Sequence, residues 1–202
     1  VPAKVILLTG IPASGKTTLA KELAKTITPI ACISFGRILF EIKQEQGFDE
    51  SYTILREKAT RSATAALVQQ TREEVGRRVQ EASVAANVVL DSHAVVDDEY
   101  GFRLMRDISG VALDAVLVLQ TNYKTFAHRI KDGGGRRFLT RDGLNTYQGI
   151  QNAAAASYGI SMGCPVYFID ATGETALSLR YALQAFNDID MRYQMVMSTD
   201  GS

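Results

Sequence analysis

The sequence predicts an α/β fold, a three-layer sandwich in which a five-stranded parallel sheet carries helices on both faces. Two observations predict it. Five short apolar runs of β type, Val5–Leu8, Ile30–Ile33, Val88–Leu90, Ala115–Leu119 and Val166–Ile169, alternate with stretches of helical pattern. The first run leads directly into Gly10-Ile11-Pro12-Ala13-Ser14-Gly15-Lys16-Thr17-Thr18, a glycine-rich turn with Lys-Thr at the mouth of a helix. That is the G-x-x-x-x-G-K-[ST] pattern of a phosphate-binding loop.

The elements follow in order. Residues 16–27 form a first helix, with Leu19, Leu23 and Ala24 on one face, stopped near Thr28-Pro29. After the second run, 36–46 form a helix that Gly47 ends. Residues 53–85 are rich in Ala, Arg and Glu and predict one bent helix or two consecutive ones. Beyond the fourth run, 122–131 form a helix ended by Gly133-Gly134-Gly135. Asp142 is a cap for a helix running to Gly159 or Gly163. Residues 173–188 form the last helix, and Ser198 to Ser202 read as a frayed tail. No linker divides the chain, so 1–202 read as one domain, with an acceptor-binding region at about 36–80 and a lid at about 130–142.

Composition narrows the function classes. At 202 residues the chain is long enough to bury a core unaided. Its 22 basic and 22 acidic residues balance, so no global field marks a nucleic-acid or membrane surface. The apolar stretches are strand-length, far below a bilayer span, and the opening residues Val-Pro-Ala-Lys lack a signal-peptide core. Cys32 and Cys164 have no CxxC spacing and sit by apolar runs, which predicts buried thiols in a cytoplasmic protein. With only two histidines, His93 and His128, a histidine-rich metal site is not expected.

Four constellations carry chemistry. In the loop, Gly10 and Gly15 let the backbone curl so that successive N–H groups face one anion, beside the positive end of the helix dipole. Ala13, Ser14 and Thr18 belong to the same cradle; Lys16 is expected on the β- and γ-phosphates of ATP, and the Thr17 hydroxyl on Mg2+. Next, Asp91 ends an apolar strand in Val88-Val89-Leu90-Asp91-Ser92-His93, which puts a carboxylate at the ligand-binding edge of the sheet as a second magnesium ligand. His93 is a candidate for a substrate phosphate or base, or a structural turn residue. Third, Arg129, Arg136, Arg137 and Arg141 flank the glycine run, a pattern suited to a mobile lid whose guanidiniums stabilise charge on a moving phosphoryl group. Fourth, Ser34, Gly36 and Arg37 stand where the second strand turns into a helix and can meet an anion or base. Arg56, Arg61 and Arg77 read mainly as solvated-face residues, with some available to line an acceptor cleft.

In this order the four constellations resemble the archaeal-type adenylate kinases, nucleoside monophosphate kinases within the P-loop NTPases. The likeness runs from the phosphate loop through Ser34-Phe35-Gly36 and Leu39-Phe40-Glu41, Gly76-Arg77-Arg78 and Leu90-Asp91-Ser92-His93, then through the arginine-bearing lid to Asn152 and Ala156-Ser157-Tyr158-Gly159. The resemblance implies transfer of the ATP γ-phosphate to AMP with magnesium. It implies Lys16, Arg137 and Arg141 as catalytic residues, Thr17 and Asp91 on the metal, and Arg61 on the acceptor phosphate; Arg129 joins the loop as a candidate ATP contact. The chain departs from the family at Ala13-Ser14, where adenylate kinases usually carry another glycine, and at Ala153, where an arginine is expected. It also departs in the acidic stretch Asp97-Asp98-Glu99-Tyr100 and in a longer segment around Asp49 to Arg56.

The acceptor stays open at this level. A kinase for a sugar or other hydroxyl compound would need a carboxylate beside the hydroxyl, for which Asp97, Asp98 and Glu99 are available. A nucleotide-dependent ATPase or switch would need a water-positioning residue and a partner surface.

Overall fold

A computed structural model of the protein describes residues 2–47, 64–98, 101–104, 110–133 and 140–199. In chain order the elements are β1 (Val5–Gly10), α1 (Lys16–Thr26), β2 (Ile30–Ser34), α2 (Phe35–Glu45), α3 (Ala65–Ser83), β3 (Asn87–Asp91), β4 (Val95–Asp98), β5 (Gly101–Leu104), β6 (Ala115–Gln120), α4 (Tyr123–Gly133), α5 (Arg141–Met162), β7 (Val166–Asp170) and α6 (Thr175–Thr199).

The five apolar runs are the five strands of one sheet, ordered β2-β3-β1-β6-β7 and parallel throughout. A parallel sheet is covered on both faces, so its central strands are apolar at every position rather than at alternate ones. All six residues of β1 are buried, as are five of the six in β6. Alternation sorts them between two cores. Val5, Leu7, Val88, Leu90, Val116 and Val118 pack with α2, α3, α4 and α5 through Ile38, Leu39, Val75, Val79, Phe126, Leu144 and Ala155. Ile6, Leu8, Val89, Leu117 and Leu119 pack on the other face with Leu19 and Leu23 of α1 and Ala182, Phe186 and Ile189 of α6. Truncating Leu8 or Leu90, each with no exposed surface, to alanine is the kind of change that costs about 2–5 kcal/mol.

The register sets the site. Leu8 pairs with Asp91, Ser34 with Asp91, and Gly10 with Leu119, so these strand ends share the C-terminal edge of the sheet. In open α/β sheets that edge is where ligands bind.

Several expectations need correction. Val95–Asp98 and Gly101–Leu104 form an antiparallel pair of strands beyond the five that the sequence predicts. The stretch expected as one bent helix or two is helical as expected over Ala65–Ser83, α3, capped by the Thr64 hydroxyl; its first residues, 53–63, lie outside the described residues. The cap of α5 is Thr140, whose hydroxyl accepts from the Gly143 N–H, and Asp142 sits in the first turn instead. The last helix does not stop at 188 but continues to Thr199, because Ile189 still packs in the core and Tyr193 still meets the sheet. Cys32 is exposed, since β2 is an edge strand.

α2 and α3 are braced by a ladder of charges. Glu41 accepts from Arg37 and from Arg78, and Glu74 accepts from both Arg78 and Arg77. Those two guanidiniums hold the Glu74 carboxyl down at about 2. No described helix is long and apolar enough to cross a membrane.

Candidate nucleotide site

The loop between β1 and α1 makes three left-handed bends, at Gly10 (φ 145), Ala13 (φ 62) and Gly15 (φ 102). A Cβ on Gly10 would lie 2.7 Å from the Leu119 carbonyl oxygen, so only glycine fits there. Ala13 is the one non-glycine residue of positive φ among the described residues. That conformation costs an L-residue roughly 1–2 kcal/mol, which the surroundings must offset.

The surroundings do so by holding carbonyls. Lys16 Nζ donates to Gly10 O at 2.9 Å and Ile11 O at 3.0 Å. His93 Nδ1 lies 2.9 Å from Gly10 O, a contact that calls for the Nδ1–H tautomer. Arg129 Nη1 donates to Ser14 O at 2.8 Å and Ala13 O at 3.3 Å, while Nη2 donates to Ala171 O at 3.0 Å. In a trans peptide the C=O and the following N–H point opposite ways. Holding Gly10 O and Ser14 O therefore turns the Ile11 and Gly15 N–H groups away from those holders, while Pro12 has no N–H and the Ser14 N–H donates to Ile11 O at 3.2 Å. Gly15 caps α1 and brings no side chain to the first turn, whose Thr17 and Thr18 N–H groups have no acceptor within their own helix. The result is an anion cradle at a helix N-terminus. Ser14 is fully buried, and its Oγ has no hydrogen-bond partner among the described residues.

One ångström-scale contact joins the loop to the neighbouring strand. The Thr17 hydroxyl donates to Asp91 Oδ2 at 3.1 Å. A hydroxyl and a carboxylate are hard oxygen donors, the set magnesium takes alongside phosphate oxygens and water, so the pair fits that ion. Among the described residues no group of three or more His, Cys, Asp or Glu converges as a metal cage, and a magnesium bound through substrate phosphates needs none. The segment after Asp91 is held against β1: Ser92 N donates to Leu8 O at 3.1 Å and Ala94 N to Thr9 Oγ1 at 2.8 Å. That tie delivers His93 to the loop.

The remaining candidates are more scattered. Ser34 precedes α2 at the same edge and makes no side-chain cap bond, and among the described residues nothing lies within 4 Å of where a Gly36 Cβ would stand. Arg37 is 76% exposed and paired with Glu41 at 3.2 Å. Arg77 is exposed on α3, between Glu74 and Glu81. Arg141 opens α5 with its guanidinium 5.9 Å from the Tyr123 ring centroid, beyond the end of β6. Arg61, Arg136 and Arg137 lie outside the described residues, as does Arg56. Burial depresses the Arg129 guanidinium below its usual range.

Sequence reasoning missed three supporting residues. Thr9 is buried and accepts from Ala94; Gln151 is fully buried and donates to Val95 O at 2.7 Å; Tyr147 donates to the same carbonyl at 3.4 Å. The available signal was Tyr147 and Gln151 four residues apart on the buried face of an alanine-rich helix.

Comparison with known proteins bears on the family and the fold. A family model described as an AAA domain matches residues 9–147. No curated protein sequence matches the chain. Among solved structures, a thymidylate kinase from Candida albicans, whose description notes broad substrate specificity, superposes with TM-score 0.56 at 14% identity, covering 95% of this chain and 93% of its own. An unliganded sugar kinase from a Janibacter species superposes with TM-score 0.52 at 16% identity, covering 92% and 95%. With its five-stranded parallel sheet, its phosphate loop and a match over more than half its length, the chain belongs to the AAA domain family and has the P-loop NTPase fold.

Proposed function

We propose that the protein is an ATP-dependent phosphotransferase that moves the γ-phosphate of ATP to a nucleoside monophosphate, with AMP as the acceptor. The observation that carries this reading is the Thr17–Asp91 contact at 3.1 Å beside the phosphate loop. It joins a magnesium-type oxygen pair to an anion cradle at one sheet edge. Magnesium bound there would neutralise charge on the phosphates of the nucleotide.

The chain's own residues do the rest. The loop and the first turn of α1 bind the phosphates through backbone N–H groups. Lys16 lies over the loop within reach of the same anion and supplies a fixed positive charge. Ser34 and Gly36, beside which no described residue intrudes, stand at the same edge, where an acceptor would lie in line with the phosphates. An acceptor that is already a phosphate needs no strong base, which suits a site that offers positioning and charge. Arg137 and Arg141 stabilise the spreading negative charge when the lid region closes.

A second reading is a hydroxyl acceptor. It is favoured by the hairpin β4–β5, which carries Asp97 and Asp98 just beyond Asp91, His93 and Val95, and so supplies backbone sites for the carboxylate such an acceptor requires. One assay separates the readings. ADP release from magnesium-ATP is followed against a panel of nucleoside monophosphates and hydroxyl metabolites. Strong stimulation by AMP is expected. Stimulation by a sugar or another alcohol alone would establish the second reading, and a slow rate insensitive to every acceptor would reject both in favour of an ATPase.

A further inference from the structure

We propose that Arg129 is a positioning residue: it holds the phosphate loop in its left-handed bend at Ala13 and acts on bound nucleotide through the loop rather than by touching it. This rests on the reading that the loop binds nucleotide phosphates. The bend at Ala13 is where the loop departs from a glycine, and it is the one place where a Cβ sits at positive φ among the described residues. The two carbonyls that frame the bend, Ala13 O and Ser14 O, both receive Arg129 Nη1, at 3.3 and 2.8 Å.

The other end of the fork is anchored. Nη2 donates to Ala171 O at 3.0 Å, a buried residue that directly follows β7. One turn earlier on α4, Thr125 donates from its hydroxyl to Thr172 O at 2.9 Å. So α4 is stitched at two levels to the β7–α6 turn, and from that support the guanidinium reaches the loop. A planar fork with donors in fixed directions can serve three carbonyls on two segments; an ammonium cannot. Holding Ser14 O on the outside aims the Gly15 N–H into the cradle.

The strained residue makes the idea testable. Glycine adopts positive φ without a Cβ penalty, so in an Ala13→Gly background the bend depends less on its holder. Magnesium-ADP is titrated calorimetrically into the wild type, Arg129→Met, Ala13→Gly and the double variant. Arg129→Met is expected to weaken binding roughly tenfold in the wild-type background, the factor that corresponds to one strained residue. Alongside Ala13→Gly the same change should weaken binding by less than about threefold. Arg129→Lys, carried in parallel in case the methionine variant does not fold, should give a smaller loss with the same dependence on residue 13. Equal losses in the two backgrounds would show direct contact with nucleotide and overturn the proposal. Amide exchange of residues 11–16 in nucleotide-free protein gives a readout that needs no ligand: it should speed up in Arg129→Met, or in Arg129→Lys if that is the folded variant. If the wild type binds no nucleotide, the proposed function fails while exchange still decides the clamp, and unchanged exchange overturns it.

Discussion

Lys16 is 7% exposed, and its ammonium is held by Gly10 O and Ile11 O. It therefore has two effects at once, a positive charge at the cradle and a brace across the loop. Lys16→Ala removes both, so turnover should fall on the order of a hundredfold or more and ATP binding should weaken as well. Turnover and titration of the folded variant check this; near-normal turnover would leave the motif without a catalytic part. Asp91 is a cleaner probe because its backbone is fixed by pairing to both Leu8 and Ser34. Asp91→Asn keeps the shape and the bond to Thr17 but removes the charge. Metal affinity should drop about 10- to 100-fold, the range for weakening a metal's supporting oxygens. The sign of this in an assay is a higher magnesium requirement together with lower turnover. A magnesium dependence identical to the wild type would make Asp91 a turn residue only.

At the scale of elements, the segment between α4 and α5, proposed above as a lid, offers the sharpest experiment. Arg141 begins α5 beside Tyr123, and Arg137 lies in the segment before it. Donors that meet charge only as the phosphoryl group moves act on rate more than on ground-state binding. Arg137→Ala and Arg141→Ala should each lower turnover about a hundredfold, roughly 3 kcal/mol, with a much smaller change in the ATP dissociation constant. Variants within about twofold of the wild type would mark these as surface arginines and pass the search to Arg136. The elements also show what the sequence makes legible. The five sheet strands are readable because strands buried on both faces must be apolar throughout, as in Val5-Ile6-Leu7-Leu8. The hairpin is not, because Val95-Val96-Asp97-Asp98 has only two apolar residues before its acids and no period to read. Thr140 and Asp142 are both cap-type residues two positions apart, and propensity alone does not choose between them. The loop could be placed by the spacing of its glycines and Lys-Thr, and Asp91 by its position at the end of an apolar strand. The grip of Arg129 could not, because its acceptors are backbone carbonyls, which every residue has and no motif records.

Across the whole molecule, the candidate site and the contacts that fasten α6 sit at opposite ends of the sheet. The C-terminal edge carries the strained loop and the Thr17–Asp91 contact. The N-terminal edge is fastened. Asp114 accepts from the Val5 N–H at 2.7 Å with one carboxylate oxygen and from the Tyr193 hydroxyl with the other, while Lys4 is paired with Asp190 at 2.5 Å. These contacts tie α6 to the start of β1 and keep Phe186 and Ile189 on the core. The bond to Asp114, followed by burial, pushes the Tyr193 phenol up to about 12. A phenol raised in the folded state stabilises while it stays protonated. Its contribution is complete below the unfolded value near 10 and is lost as pH rises from there through about 12. Tyr193→Phe should therefore lower stability near neutral pH by roughly 1–2 kcal/mol, the scale of a hydrogen bond to a charged acceptor together with the partner it leaves short. The gap between variant and wild type should narrow above pH 10, because only the wild type has this contribution to lose. Since Tyr193 fastens the end remote from the phosphate loop, nucleotide affinity should stay within about twofold. Denaturant unfolding of both proteins at pH 7 and pH 11, with nucleotide titration at pH 7, measures all three quantities. A gap that does not change with pH would mean that the hydroxyl matters for packing alone, and a large loss of affinity would mean that the two ends of the sheet are coupled rather than separate.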